Sequence, residues 1–246
     1  MDRMLYVAMS GARETLIAQG NASNNLANAN TTGFLADLNQ FRSMPVFGPG
    51  HPTRVYALDE RPQTDFTHGT ITQTGRDLDV AVKGGGWIAV QARDGGEAYT
   101  RRGDLQIDPN GVLTTGDGLP VMGNSGPIAL PPFDAINIGA DGTISIRPQG
   151  APPSELAVID RIKLVAPAFD QMIKGPDGLM RLKDGTEAPA AFEQRLVSGA
   201  LESSNVNIVN EMVDMIELSR RFEMQIKLMK TAEETAASAA SVVKPV

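Results

Sequence analysis

Along the last part of the chain, apolar positions recur at alternating steps of four and three: Ile208, Met212, Met215, Ser219, Phe222, Ile226, Met229, Glu233, Ala236, Ala240 and Val243. This is a heptad seam, flanked by the charged residues Glu211, Asp214, Glu217, Arg220, Arg221, Glu223, Lys227 and Lys230. Neither Gly nor Pro interrupts it before Pro245, so the pattern predicts one helix of roughly 54 Å at 1.5 Å rise per residue. The seam thins from Ile, Met and Phe to Ala, and only another helix can bury it. A weaker seam of the same period runs through Leu5, Met9, Ala12, Leu16, Gln19, Ser23 and Leu26, diluted by its Gln and Ser and by Gly11 and Gly20. The two seams complete one another, which predicts that the N- and C-terminal helices pair as a coiled coil. Asn21, Asn24, Asn25 and Asn28 gather on one side of the first helix. They read either as a fraying end or as an amide face that bonds neighbouring chains. Asn30-Thr31-Thr32-Gly33-Phe34 stops the helix, with Gly33 suited to positive φ and Phe34 free to anchor.

Between the ends the periodicity changes. Residues 35–70 hold Pro45, Pro49, Pro52, Pro62, Gly48 and Gly50 with no sustained period, the texture of an extended linker. Residues 71–200 are short β runs divided by Asp94-Gly95, Asn110-Gly111, Asp117-Gly118, Asp141-Gly142, Asp177-Gly178 and Asp184-Gly185, the dipeptides of tight hairpin turns. The longest β candidate is Leu156 to Val165. This spacing predicts an all-β body of sandwich or barrel type. Residues 201–246 carry the chain into the last helix, with Asn205 as its cap. The fold class is α+β and mainly β: terminal helices of residues 1–34 and 201–246, with the linker and an all-β domain inserted between them.

Composition narrows the function. A net charge of −7 argues against nucleic acid as a partner, since a phosphate-binding surface needs excess Lys and Arg. Two histidines and no cysteine remove thiol chemistry, disulfides and the usual zinc sites. No apolar run is long enough to span a bilayer, and the N-terminal residues lack the basic start and apolar stretch of a secretory signal.

Candidate chemistry is thin. Gly84-Gly85-Gly86 lacks the Lys-Ser/Thr of a phosphate loop and leads into a strand, so it reads as a tight turn or bulge. Asp77 and Asp79 would share a face of a strand and could mimic a carboxylate pair, but no His, Cys or basic partner accompanies them. Arg102-Gly103-Asp104 matches an adhesion tripeptide, too short a match to carry weight. Asp108-Pro109-Asn110-Gly111 lacks the remaining ligands of a calcium loop. Met212, Met215, Met224 and Met229 read as core or adaptable contact surface. No catalytic residue, cofactor site or metal site is expected.

Leu26-Ala27-Asn28-Ala29-Asn30-Thr31-Thr32-Gly33-Phe34 resembles the N-terminal signature of flagellar basal-body rod and hook proteins. Gly199-Ala200-Leu201-Glu202-Ser203-Ser204-Asn205-Val206-Asn207, with Met215-Ile216 and Arg221-Phe222-Glu223, resembles their C-terminal signature. Leu78 to Gly84 and Tyr99-Thr100-Arg101 match in the middle. The short interval before the first β run, and Gly126-Pro127-Ile128 before Pro131-Pro132, resemble the proximal-rod type more than the distal-rod type. The resemblance implies a structural subunit of the flagellar basal body that leaves the cytoplasm through the flagellar type III export apparatus without a cleaved signal peptide. Such subunits polymerise with themselves and other rod proteins into the hollow shaft that crosses the periplasm. It also implies that the terminal helices line the channel while the β domain faces outward. The assembly interface is expected at Leu5, Met9, Ala12, Leu16, Leu26, Asn28, Asn30, Gly33, Phe34, Asn205, Ile208, Met212, Met215, Phe222, Ile226 and Met229. The alternatives are a distal-rod or hook-related subunit, and a β-fold hydrolase carrying a helical oligomerisation stalk.

Overall fold

The computed structural model describes residues 4–45, 55–150, 152 and 155–243. The chain forms α1 (Met4–Ala27), β1 (Asp37–Pro45), β2 (Val55–Thr64), β3 (Ile71–Gln73), β4 (Val80–Lys83), β5 (Trp87–Gln91), β6 (Glu97–Thr100), β7 (Leu105–Ile107) and β8 (Leu113–Thr115). It continues with β9 (Phe133–Ile138), β10 (Thr143–Pro148), β11 (Ala157–Arg161), β12 (Leu164–Val165), β13 (Met172–Lys174), β14 (Met180–Leu182), β15 (Arg195–Ser198), β16 (Ala200–Glu202) and α2 (Ile208–Val243). These elements divide into two compact units, one of residues 1–29, 36–65 and 206–246, the other of residues 30–35 and 66–205.

The first unit is helical with a β-hairpin. α1 and α2 pack against each other in antiparallel sense, because Gly11 meets Gln225, Ala18 meets Leu218 and Asn25 meets Glu211. Each seven-residue step along α1 is matched by seven residues back along α2. The long uninterrupted pattern correctly placed α2 from Ile208 to Val243. Its cap is Asn207 and not Asn205: the Asn207 Oδ1 accepts from the Val209 and Asn210 amides at 3.1 and 3.3 Å.

Residues 35–70 are not a plain linker. β1 and β2 form an antiparallel hairpin running from Asp37↔Thr64 to Pro45↔Val55, with a bulge between Leu38 and Gln40. Pro49, Pro52, Gly48 and Gly50 lie outside the described residues. The hairpin escaped detection because Leu38, Met44 and Val55 are all exposed. With these apolar side chains left out of a core, no in/out alternation of apolar residues is imposed.

The second unit is the β body. Its strands form a five-stranded sheet in the order β12-β5-β6-β14-β13, a three-stranded sheet β11-β10-β9, and the two-stranded ribbons β15-β4, β16-β3 and β7-β8. Among the described residues this is a set of small antiparallel sheets and not the two-sheet sandwich or closed barrel expected. Every one of the six Asp-Gly and Asn-Gly turns has its glycine at positive φ, between 71° and 86°, which is what tight reversal between short strands requires. The long β candidate Leu156 to Val165 is broken into β11 and β12, with Ile162 buried between them. One core gathers Val80, Val82, Ile88, Leu105, Leu113, Ile138, Ile144 and Ile146. A second gathers Leu35, Trp87, Tyr99, Met172 and Met180. Each fully buried aliphatic side chain contributes about 1.5–3 kcal/mol.

Two boundaries move. α1 ends at Ala27, and residues 30–35, whose first five the sequence groups with the N-terminal helix as its rod signature, belong to the β body. Ala200–Glu202 is strand β16 paired with β3, so the C-terminal signature begins as β structure ahead of the helix that starts at Ile208.

Candidate assembly interface

On α1 the helix pair buries a different face from the one the largest apolar residues define. On α1 the buried positions are Ala8, Ala12, Glu14, Thr15, Ala18, Ala22 and Asn25. On α2 the inward positions are Glu211, Met215, Leu218, Phe222, Gln225, Met229 and Ala232, at steps of four and three. Small residues on α1 let the helices approach closely: a Cβ on Gly11 would stand 2.9 Å from the Gln225 amide nitrogen. Of the expected interface, Ala12, Met215, Phe222 and Met229 therefore lie on the inner face of the pair.

Leu5, Met9 and Leu16 point away from it, at 36, 51 and 50% exposure, and so do Ile208, Met212 and Ile226 at 38, 50 and 45%. Leu26 is half-buried. The expectation that all these positions close one intramolecular seam is corrected. These six bulky side chains are displayed outward, joined by Tyr6, Ile17, Val213, Ile216, Met224 and Leu228. Seven residues before Gly11, Met4 falls opposite Ala232, so α2 runs on by about 16 Å past the described start of α1.

The asparagines are largely consumed within the chain. Asn21 Nδ2 donates to Asn39 Oδ1 at 2.6 Å. Asn25 donates to the Asp37 carbonyl and to Glu211 Oε1 and accepts from the Asp37 amide. Asn28 donates back to the Asn24 carbonyl at 3.0 Å. Neither a fraying end nor an amide face reserved for neighbours describes Asn21 or Asn25. Burial around Glu211 pushes its carboxyl above the ordinary range, against the opposing hydrogen bond from Asn25.

In the β body the two signatures meet. The Gly33 amide donates to the Glu202 carbonyl at 2.9 Å, and the Asn205 amide donates to the Phe34 carbonyl at 3.3 Å. Asn205 Nδ2 donates to the Thr67 carbonyl at 3.0 Å. Gly33 has φ of 65°, and a Cβ there would stand 2.6 Å from the Arg102 nitrogen. Lys174 Nζ sits 4.3 Å above the Phe34 ring. Thr32 donates to Asp104 at 3.1 Å. Gly33, Phe34 and Asn205, expected at the assembly interface, thus have work inside the body, while Asn30 is exposed.

Beneath them lies a buried ion pair that sequence reasoning missed. Arg101 and Glu202 have side chains 2% and 1% exposed, with Nη2 and Oε2 2.7 Å apart. Arg101 also donates to the Val82, Gly84 and Gly86 carbonyls at 3.1, 3.0 and 2.7 Å. The glycine run is therefore a turn wrapped around a guanidinium, not a phosphate loop. Glu202 Oε1 accepts from the Gly69 amide at 3.1 Å. Both charges sit in quoted motifs, but nothing in the sequence signals that residues 101 positions apart pair.

The carboxylates weighed for catalysis do not form a pair. Asp77 is exposed in a turn, while Asp79 is buried, accepting from Thr74 at 2.6 Å. Asp104 and Asp117 both hold Arg102, and a Cβ on Gly103 would collide with the Val80 carbonyl. Asp108 Oδ1 accepts from the Asn110 and Val112 amides, stapling its own turn. Among the described residues no three His, Cys, Asp or Glu gather as a metal site, and no helix is long and apolar enough to cross a membrane.

Comparison with known proteins gives three family matches: "Flagella basal body rod protein" over residues 5–34, "Flagellar hook protein FlgE/F/G D1 domain" over 81–146, and "Flagellar basal body rod FlgEFG protein C-terminal" over 197–242. The chain is 45% identical to the flagellar basal-body rod protein FlgF of Escherichia coli K12, with 97% of each chain covered. It is 35% identical to FlgF of Caulobacter vibrioides, again with 97% of each covered. It is 31% identical to the rod protein FlgG of Bacillus subtilis, over 95% of this chain and 96% of that one.

Proposed function

We infer the role of this chain from the premise that it belongs to the flagellar basal-body rod protein family and is a structural subunit of the rod. We propose that it polymerises helically with copies of itself and with other rod proteins, forming the hollow shaft that crosses the periplasm, transmits torque and passes exported subunits. It reaches that site through the flagellar type III export apparatus and performs no catalysis.

The observation that carries the mechanism is the outward display of Leu5, Met9, Leu16, Ile208, Met212 and Ile226 on a helix pair already closed by the alanines of α1 against Met215, Leu218, Phe222 and Met229 of α2. An isolated subunit keeps its fold and holds its bulky apolar side chains for its neighbours. Burying each on assembly contributes about 1.5–3 kcal/mol at most, so single contacts are shallow and the polymer gains from many in parallel. Contacts of this kind, repeated head to tail, generate an open helix where the rotation does not close. The proximal position in the rod is supported by the 45% identity to FlgF of Escherichia coli K12 against 31% to FlgG of Bacillus subtilis.

Ile226→Asp tests the reading. The variant is expected to keep its β-body melting transition and to lose polymerisation in sedimentation and motility in a complementation assay. A variant that assembles normally, or one whose β body fails to melt cooperatively, refutes it. Position-specific cross-linking to neighbouring rod subunits separates proximal from distal placement.

A further inference from the structure

The α1 side of the helix seam is nearly flat. Ala8, Ala12, Thr15, Ala18 and Ala22 present no large knob to α2, so sliding the pair by one heptad, about 10.5 Å, would cost little packing. Heptad seams of this kind are degenerate in register unless a buried polar group breaks the degeneracy.

One such group is Asn25, beside Glu14 and Thr15, which are also buried on α1. Asn25 is 2% exposed and lies at the end of the seam. Its amide pairs with the backbone of Asp37 in both directions, donating to the carbonyl at 2.9 Å and accepting from the amide at 2.9 Å. Its second N–H donates to Glu211 Oε1 at 3.0 Å. One side chain thus ties α1, the first residue of β1 and α2 at a single point. A slide by a heptad would bury the same amide without the Glu211 acceptor, and an unsatisfied buried donor is costly.

We propose that Asn25 is a positioning residue that fixes the axial register of the two terminal helices. In its consequence this rests on the assembly reading above: Leu16 on α1 and Met212 and Ile226 on α2 keep one fixed spacing, as a neighbour must meet them, only in one register. The register itself is a property of the single chain and is tested without any polymer.

The chain has no cysteine, so paired cysteines report register directly. In the full-length protein, Ala18→Cys with Leu218→Cys is expected to form an intrachain disulfide almost exclusively, and Ala18→Cys with Gln225→Cys, the one-heptad slip, is expected to form little. Adding Asn25→Leu should raise the slipped product by about tenfold, the effect of removing a hydrogen bond of roughly 1.4 kcal/mol. The far-UV helical signal should be retained. Should Asn25→Leu fail to fold, Asn25→Ala in the same two backgrounds carries the test. Unchanged exclusivity of the 18–218 bond in a folded Asn25 variant overturns the proposal. Loss of polymerisation with register intact overturns only its link to assembly, whereas normal polymerisation of Ile226→Asp would sink the assembly reading and leave the pin standing.

Discussion

Replacing Arg101 by Met is expected to destabilise the β body more than any conservative change elsewhere in it. The substitution keeps the side-chain length and removes the charge. Glu202 then remains 1% exposed with its other oxygen held only by the Gly69 amide and a distant His68 at 3.9 Å. Stranding one member of a buried pair costs about 3–5 kcal/mol. The carbonyls of Val82, Gly84 and Gly86 also lose their shared donor. Glu202→Gln should be milder, about 1–2 kcal/mol, because Arg101 keeps three carbonyl acceptors and the amide oxygen can still accept. For a unit of this size each kcal/mol shifts the midpoint by roughly 2–4 °C, so Arg101→Met should melt about 6–20 °C early. Trp87 is the single tryptophan, buried 5.8 Å from the Arg101 guanidinium carbon, so its fluorescence reports this unit. A midpoint within about 2 °C of the parent, or a larger loss in Glu202→Gln than in Arg101→Met, would refute the reasoning.

Gly33→Ala is expected to lower the same fluorescence midpoint, since φ of 65° and the close approach to Arg102 act together; a loss above about 2 kcal/mol is anticipated, and an unchanged midpoint argues against the lock between the signatures. The two units should also respond oppositely to acid. Glu211 has its folded pKa raised above the ordinary 4.5 by burial, so its stabilising effect is complete below 4.5 and is lost as pH rises through the folded value. Asp177 has its pKa held below 3.8 chiefly by the Arg181 hydrogen bond, so its contribution is present above 3.8 and is lost as pH falls. Helical ellipticity melts followed from pH 7 to 4 should gain stability, and Glu211→Gln should flatten that gain. Trp87 melts below pH 4 should lose stability, less so in Asp177→Asn, and matching pH profiles for both variants and parent would contradict the assignment.

Much of the architecture was legible in the sequence because its signals are local. An unbroken heptad run marks α2 to the residue, and Asp-Gly or Asn-Gly pairs mark every turn they were expected to mark. The hairpin at β1 and β2 was not legible, because Leu38, Met44 and Val55 stand exposed and leave no apolar alternation to read. The Arg101–Glu202 pair was not legible either. Pairing across 101 residues is decided by topology, and a buried charge looks in sequence like any surface Arg or Glu.

The phase of the helix seam is the more instructive miss. Hydrophobicity predicts that Leu5, Met9 and Leu16 are removed from water, and it does not say by whose surface. Within one chain, burial favours the residues that let two backbones approach closely, and alanine does that better than leucine. A subunit that must polymerise faces a second requirement, because bulky apolar residues spent on its own fold are lost to its neighbours. α1 meets both by separating them: alanines inward with Asn25 to set register, and Leu5, Met9, Leu16 and Ile17 outward. The same division explains why α2 carries the larger inward residues, Met215, Leu218, Phe222 and Met229, which fill the shallow surface that the alanines leave. Exchanging Ala18 for Leu would therefore strengthen nothing: it would force the helices apart where Ala18 packs with Leu218 and move every outward contact with them.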